Sequence, residues 1–171
     1  MQEVDLKPDC GACAALCCVM LPFDQGAAFA FDKAGAEACR HLVGHGCGIH
    51  ARLEVEGFSG CVRFDCLGAG QRVVQEVFGG QSWRDDPALT APMEAAFRAM
   101  RRLHEDYGVL VAAKALALTE AEEAVRLGLL QRVDAAATQT EASVAAYEAG
   151  KLPEAIVAFV AGLKRRLRSG R

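Results

Sequence analysis

The chain has no long hydrophobic run: its longest charge-free stretch, Cys10 to Phe23, is 14 residues. A membrane-spanning helix needs about 20 apolar residues, so none is expected. A basic excess is missing as well. Lys plus Arg number 19 against 22 Asp plus Glu, a net charge of −3. Without a strong positive field, nucleic-acid backbone is not an expected partner. The opening Met1-Gln-Glu-Val-Asp5 carries acids where an export signal carries positive charge. A soluble, cytoplasmic protein is the expectation. Internal repeats and low-complexity linkers are absent, and no cysteine follows Cys66.

What is present is a chain of 171 residues, 52% hydrophobic and 24% charged. That length suits about one domain, and that composition excludes a disordered tail or a collagen-like repeat. Composition changes near residue 80. Residues 1–80 hold 12 of the 17 glycines and every cysteine, whereas residues 81–171 are rich in alanine. Glycine favours turns over long helices. The sequence therefore predicts a cysteine-rich, metal-binding region over 1–84 and an α-helical region over 85–171. The expected fold class is mainly α: short helices and loops organised by metal, packed on about three helices.

The first of those helices is expected from Pro87 or Pro92 to Leu118, with Met93, Phe97, Met100, His104, Tyr107 and Val111 on one face. His104 reads as a structural residue of that face. The second starts at Thr119, where Thr119 and Glu122 form a capping box. Val125, Leu129, Val133, Val144 and Tyr147 continue its apolar face, Ala135–Ala137 allows close approach, and Gly150 stops it. The third has Pro153 in its first turn, then Ile156, Val157, Val160, Leu163 and Leu167 on one side. Lys164, Arg165, Arg166 and Arg168 suit the negative end of its dipole and read as a solvated helix end. No catalytic constellation is evident in the helical half.

The chemistry is in the cysteines: Cys10, Cys13, Cys17, Cys18, Cys39, Cys47, Cys61 and Cys66. Clustered thiols in a cytosolic chain point to metal or redox chemistry, whereas disulfides need an oxidising compartment. The two-residue gap between Cys10 and Cys13 lets both thiolates reach one ion, and Gly11 permits the turn. Cys13 and Cys17 share a face if the chain is helical there, while Cys18 points about 100° away. Cys10, Cys13 and Cys17 are thus expected to share one centre, completed from the Cys61–Cys66 segment. Cys18, Cys39 and Cys47 are the kernel of a second, with His50 or the leftover cysteine as fourth ligand. His50 lies three residues after Cys47; His41 and His45 are further nitrogen donors. Asp65 either supports a ligand from behind or caps a turn. A thioredoxin-like redox pair is disfavoured, because Pro8-Asp9 precedes Cys10 where that motif has an apolar strand.

The pattern Cys10-x2-Cys13-x3-Cys17-Cys18, Cys39-x2-Leu42, Cys47-x-Ile49-His50, Gly60-Cys61 and Phe64-Asp65-Cys66 resembles the YkgJ-type cysteine-cluster proteins. These are described as zinc- or iron-chelating domains. A nearer likeness is to the cysteine-rich segment at the front of some bacterial pentapeptide-repeat proteins. Leu21-Pro22-Phe23, Phe31-Asp32-Lys33, Cys47 to Leu53 and Cys66 to Gln71 carry it, over Cys10 to about Trp83. The present chain has no pentapeptide repeats, so the function of the repeats is not implied. The resemblance implies metal binding through several of the matched cysteines. Some relatives act in protein-lysine methyl transfer with an iron–sulfur centre. That activity is not carried over, because Gly68-Ala69-Gly70 lacks the remainder of a nucleotide fingerprint.

Three functions follow as expectations. One is a metal-binding accessory or interaction module, with zinc favoured over iron and a protein partner possible. The second is an iron–sulfur redox protein or a component of a protein-modifying enzyme. The third is a metal carrier or sensor. Ligand count alone does not separate zinc from an iron–sulfur cluster, since both take four thiolates.

Overall fold

A computed structural model describes residues 4–136 and 140–169. The described residues are mainly α-helical. In chain order they form α1 (Leu16–Met20), the strands β1 (Leu42–Val43) and β2 (Gly46–Cys47), α2 (Ser59–Arg63), α3 (Ala69–Arg72), α4 (Thr90–Ala112), α5 (Glu120–Ala136), α6 (Glu141–Ala149) and α7 (Leu152–Ser169). The strands make one antiparallel hairpin, with Leu42 opposite Cys47. That hairpin was not expected. Among the described residues no helix is long and apolar enough to cross a membrane.

The helical half starts where its end signals stand. The Asp86 side chain accepts from Ala88 N at the 3-10 turn Pro87–Leu89, which leads into α4. Helix α4 stops at Ala112, and a 3-10 turn carries the chain on to Ala115, short of the expected Leu118. At the head of α5, Thr119 N donates to Glu122 Oε2 at 2.8 Å and Glu122 N to Thr119 Oγ1 at 3.2 Å, the expected capping box. The expected second helix is in fact two. Thr140 and Ser143 form another capping box and start α6. Gly150 closes α6 in extended backbone. Ala137, part of the expected alanine stretch, lies outside the described residues, as does the opening Met1–Glu3.

Helix α4 is the centre of the packing. Met93, Phe97, Met100, His104 and Tyr107 are buried as expected, but Val111 is exposed and Leu110 takes its place. On α5 Val125 faces solvent while Leu129 and Val133 are buried; on α7 the buried seam is Leu152, Ile156 and Leu163. Val157 and Leu167 are exposed. Successive helical residues differ by about 100°, so Ile156 and Val157 do not share a face.

Two clusters meet along α4. One end joins Leu103, Tyr107 and Leu110 to Leu129, Leu130 and Val133 of α5 and to Tyr147, Leu152 and Ile156. The other joins Met93, Phe97 and Met100 to Leu16, Val19 and Met20 of α1 and to Ala69, Val73 and Val74, with Cys13, Cys17 and Cys66 packed against it. The cysteine-rich residues thus share a core with the helical half. A third cluster of Ile49, Leu53 and Phe58 gathers Phe23, Phe29, Phe31, Cys47 and Cys61. Gly60 has to be glycine there, since a Cβ would collide with the Phe29 ring.

Candidate metal centre

The Cys10–Cys13 knuckle is built by Asp9. Its Oδ1 accepts from Gly11 N at 2.9 Å and Ala12 N at 3.3 Å, which bends the backbone between the two thiols. Two glutamines beyond Cys66 then clamp the knuckle. Gln71 accepts from Asp9 N at 3.1 Å and donates to Lys7 O at 2.8 Å, and Gln75 donates to Ala12 O at 2.9 Å. Trp83 Nε1 donates to Ala14 O at 2.8 Å. Gly70 lets Cys13 in: a Cβ there would stand 2.5 Å from Cys13 Sγ. Helix α3 is thereby packed directly on the first thiol pair, and Cys66, just before α3, comes with it.

Cys66 is held from the other side by α4. Leu67 has φ 52, a left-handed backbone that a leucine adopts only under constraint. Its N–H donates to Asp65 Oδ1 at 2.7 Å, and its carbonyl oxygen lies 2.6 Å from Nδ1 of the fully buried His104. Asp65 therefore caps the turn after Cys66. A carbonyl only accepts, so Nδ1 carries the proton; Nε2 then accepts from Arg72 Nη1 at 3.4 Å. Burial, with Arg72 opposing a second charge, pulls the His104 ring down to about 4.

The second set of thiols is assembled by backbone. Cys39 N donates to Cys18 O at 2.9 Å, tying the third cysteine group to α1. Leu42 N donates to Cys39 O at 2.9 Å, and the hairpin then places Cys47 opposite Leu42. Cys61 lies in α2 and shares the aromatic cluster with Cys47.

All eight cysteines are free thiols; Cys10 is exposed and the other seven are partly buried. Electrostatics links them. Burial raises Cys10, and Cys17, Cys66 and Asp9 raise it further. Burial pushes Cys13 up to about 12 against an opposing Leu16 backbone hydrogen bond, and Cys17, Cys66 and Cys10 add to the rise. Burial pushes Cys61 up to about 11, with Cys17, Cys39 and Cys47 adding. Cys47 is raised by burial and then by Cys39 and Cys17, with the Ile49 backbone opposing. Cys10, Cys13 and Cys66 neighbour Cys17 on one side, Cys47 and Cys61 neighbour Cys39 and again Cys17 on the other, so the thiols form one array with Cys17 at its middle. The Sγ atoms of Cys17 and Cys18 are 4.0 Å apart. The Cys17 thiol is pushed upward first by that neighbour and then by burial.

As donors, soft thiolates suit zinc and iron–sulfur clusters. As the side chains stand, no three Cys, His, Asp or Glu groups among the described residues are gathered in ion-holding geometry. His50 is exposed at the head of the 3-10 turn His50–Arg52. His41 stands edge-on to Phe58 at 5.3 Å between ring centroids, and serves the aromatic cluster.

Sequence reasoning placed His104 on a helix face and did not find its bond to Leu67. Nor did it give a role to Lys33, Gln71, Gln75 or Trp83. Each acts through a bond to backbone 14 to 69 residues away or, for Lys33, also within its own loop.

The chain is similar to a protein of Bacillus subtilis (strain 168) described as uncharacterized protein YybG, with 45% identity over 102 residues. The match covers 59% of this chain and 37% of that protein, so the chain spans little more than a third of its relative's length. No family model matches the chain, and no solved structure matches it.

Proposed function

We propose that this chain is a thiolate-rich metal-binding protein, holding its ions in two groups, Cys10–Cys13–Cys17–Cys66 and Cys18–Cys39–Cys47–Cys61, and acting as an accessory or interaction module. The observation that supports this reading is a set of eight free thiols whose members raise one another, Cys10 and Cys13 beside Cys17 and Cys66, Cys47 and Cys61 beside Cys39 and Cys17, with Cys17 4.0 Å from Cys18. Thiols placed this way are strained toward protonation by burial and by one another, and a bound cation relieves both. The resemblance to YkgJ-type zinc- or iron-chelating proteins agrees with it. Zinc is the favoured ion, since it needs no redox partner and takes four thiolates tetrahedrally. A reducing cytoplasm keeps the array available.

Metal and sulfide analysis of protein purified anaerobically tests the reading. Zinc at two equivalents per chain is expected. Brown protein with iron and labile sulfide replaces zinc by an iron–sulfur cluster on the same thiols. Metal-free protein with four disulfides overturns the reading.

A further inference from the structure

Lys33 is 5% exposed, unusual for a lysine. Its backbone pairs with Phe23, with Lys33 N donating to Phe23 O at 2.7 Å and Phe23 N to Lys33 O at 3.0 Å. Its Nζ donates to three carbonyl oxygens: Val19 at 2.9 Å, Ala34 at 2.9 Å and Glu37 at 2.8 Å. An ammonium has three protons, so all are taken. Val19 follows Cys18 at the end of α1, and Glu37 lies two residues before Cys39. Lys33 thus clips together the two backbones already joined by the Cys39 N to Cys18 O bond.

Carbonyls satisfy the protons but do not neutralise the charge. Among the described residues Lys33 has no carboxylate ion pair, and a buried charge normally has one. Burial pulls the ammonium down from its ordinary value; Cys39, Glu37, Cys18 and Cys17 hold it up. Three of those four are candidate ligands. A divalent ion on four thiolates carries two net negative charges, and burying them calls for a cation nearby.

We propose that Lys33 is a positioning and charge-balancing residue for Cys18 and Cys39 as metal ligands, fixing their backbone pair and offsetting the negative charge of their metal-loaded thiolates. The proposal rests on the metal-binding reading above.

The test compares zinc affinity of the full chain with that of Lys33→Met, which keeps the apolar stem and removes the charge. Competition with a chromophoric chelator gives both stepwise constants. One equivalent should weaken roughly 10- to 100-fold, as for loss of a group that supports a ligand from behind, while the other stays within about twofold. Two unchanged constants overturn the proposal and leave the metal reading standing. Equal weakening of both, with a matching loss of stability in metal-free protein, makes Lys33 a plain structural clip and also overturns it. Failure of the unaltered chain to bind zinc overturns the metal reading itself. A second measurement needs no variant. The Lys33 ammonium nitrogen resonance in the unaltered chain should move on zinc loading, and an unmoved resonance counts against the proposal.

Discussion

His104 on α4 reaches 2.6 Å to the carbonyl oxygen of Leu67, the residue that follows Cys66. One side of that bond belongs to the helical scaffold and the other to a candidate ligand loop. The left-handed Leu67 backbone persists because Asp65 holds its N–H while His104 holds its carbonyl. A histidine that looks like core filling therefore holds the turn that brings Cys66 beside Cys10 and Cys13.

Burial of the His104 ring makes folding pH-dependent, against the opposing pull of the Leu67 bond. The ring is held near 4 in the folded chain against an ordinary 6.5, so the unfolded chain binds more protons between those values. The stability it contributes is complete above about pH 6.5 and is lost as pH falls toward 4. The full amount is roughly 3 kcal/mol at 1.36 kcal/mol per pH unit. Urea unfolding from pH 7 to pH 4 should show the decline, and His104→Asn, which retains a donor and does not titrate, should flatten it. An unchanged slope in the variant would assign the acid sensitivity elsewhere.

Gly70→Ala tests the contact between α3 and the knuckle. The added methyl would stand 2.5 Å from Cys13 Sγ, and both backbones are fixed by the Gln71 and Gln75 bonds. Overpacking of this kind costs about 1–3 kcal/mol. The expected outcome is a lower melting temperature and weaker binding of one metal equivalent. A variant that melts and binds like the parent would show that Cys13 moves aside freely.

Helix ends were the most legible part of the sequence. The Thr119–Glu122 box is local chemistry within four residues, and so is the Pro87 start. The Thr140 start was missed because Ser143 replaces the glutamate that usually marks a box. Helix faces were legible to within one position: Val111, Val125 and Val157 are apolar but exposed, and only the neighbouring helices decide which side of the stripe is covered. The site was legible as a list of thiols. Which of Cys61 and Cys66 joins Cys10 depends on α3 docking on the knuckle, and no sequence spacing encodes that. Lys33 has no role in the sequence pattern beyond the Phe31-Asp32-Lys33 likeness, and its three carbonyl partners lie on backbone that folding brings to it.

Truncation after Gly80 should yield aggregated protein. Leu16, Val19 and Met20 of α1 and Val73 and Val74 after α3 bury themselves against Met93, Phe97 and Met100. Removing α4 exposes that apolar surface to water, and exposed patches of this size associate. Size-exclusion chromatography of residues 1–80, with and without zinc, checks this. A monomeric, protease-resistant fragment in zinc would mean that ligation alone sustains the first half.

Metal uptake should release protons and strengthen with pH. Cys13 stands at about 12 and Cys61 at about 11 in the metal-free chain, and Cys10, Cys17 and Cys47 are raised as well. These thiols are therefore protonated at neutral pH, yet only thiolates bind the ion. Each thiol that ligates must lose its proton, so apparent affinity rises as pH rises and falls as pH falls. The clustering amplifies the effect, because each ionised thiol raises its neighbours until the cation arrives. Zinc added to weakly buffered metal-free protein at pH 7 should acidify it by up to about four protons per tetrathiolate group. Cys66→Ser should reduce that release in the first group and leave the second intact, whereas Cys61→Ser should do the converse. Proton release unaffected by either substitution would place the bound ion on ligands other than these thiols.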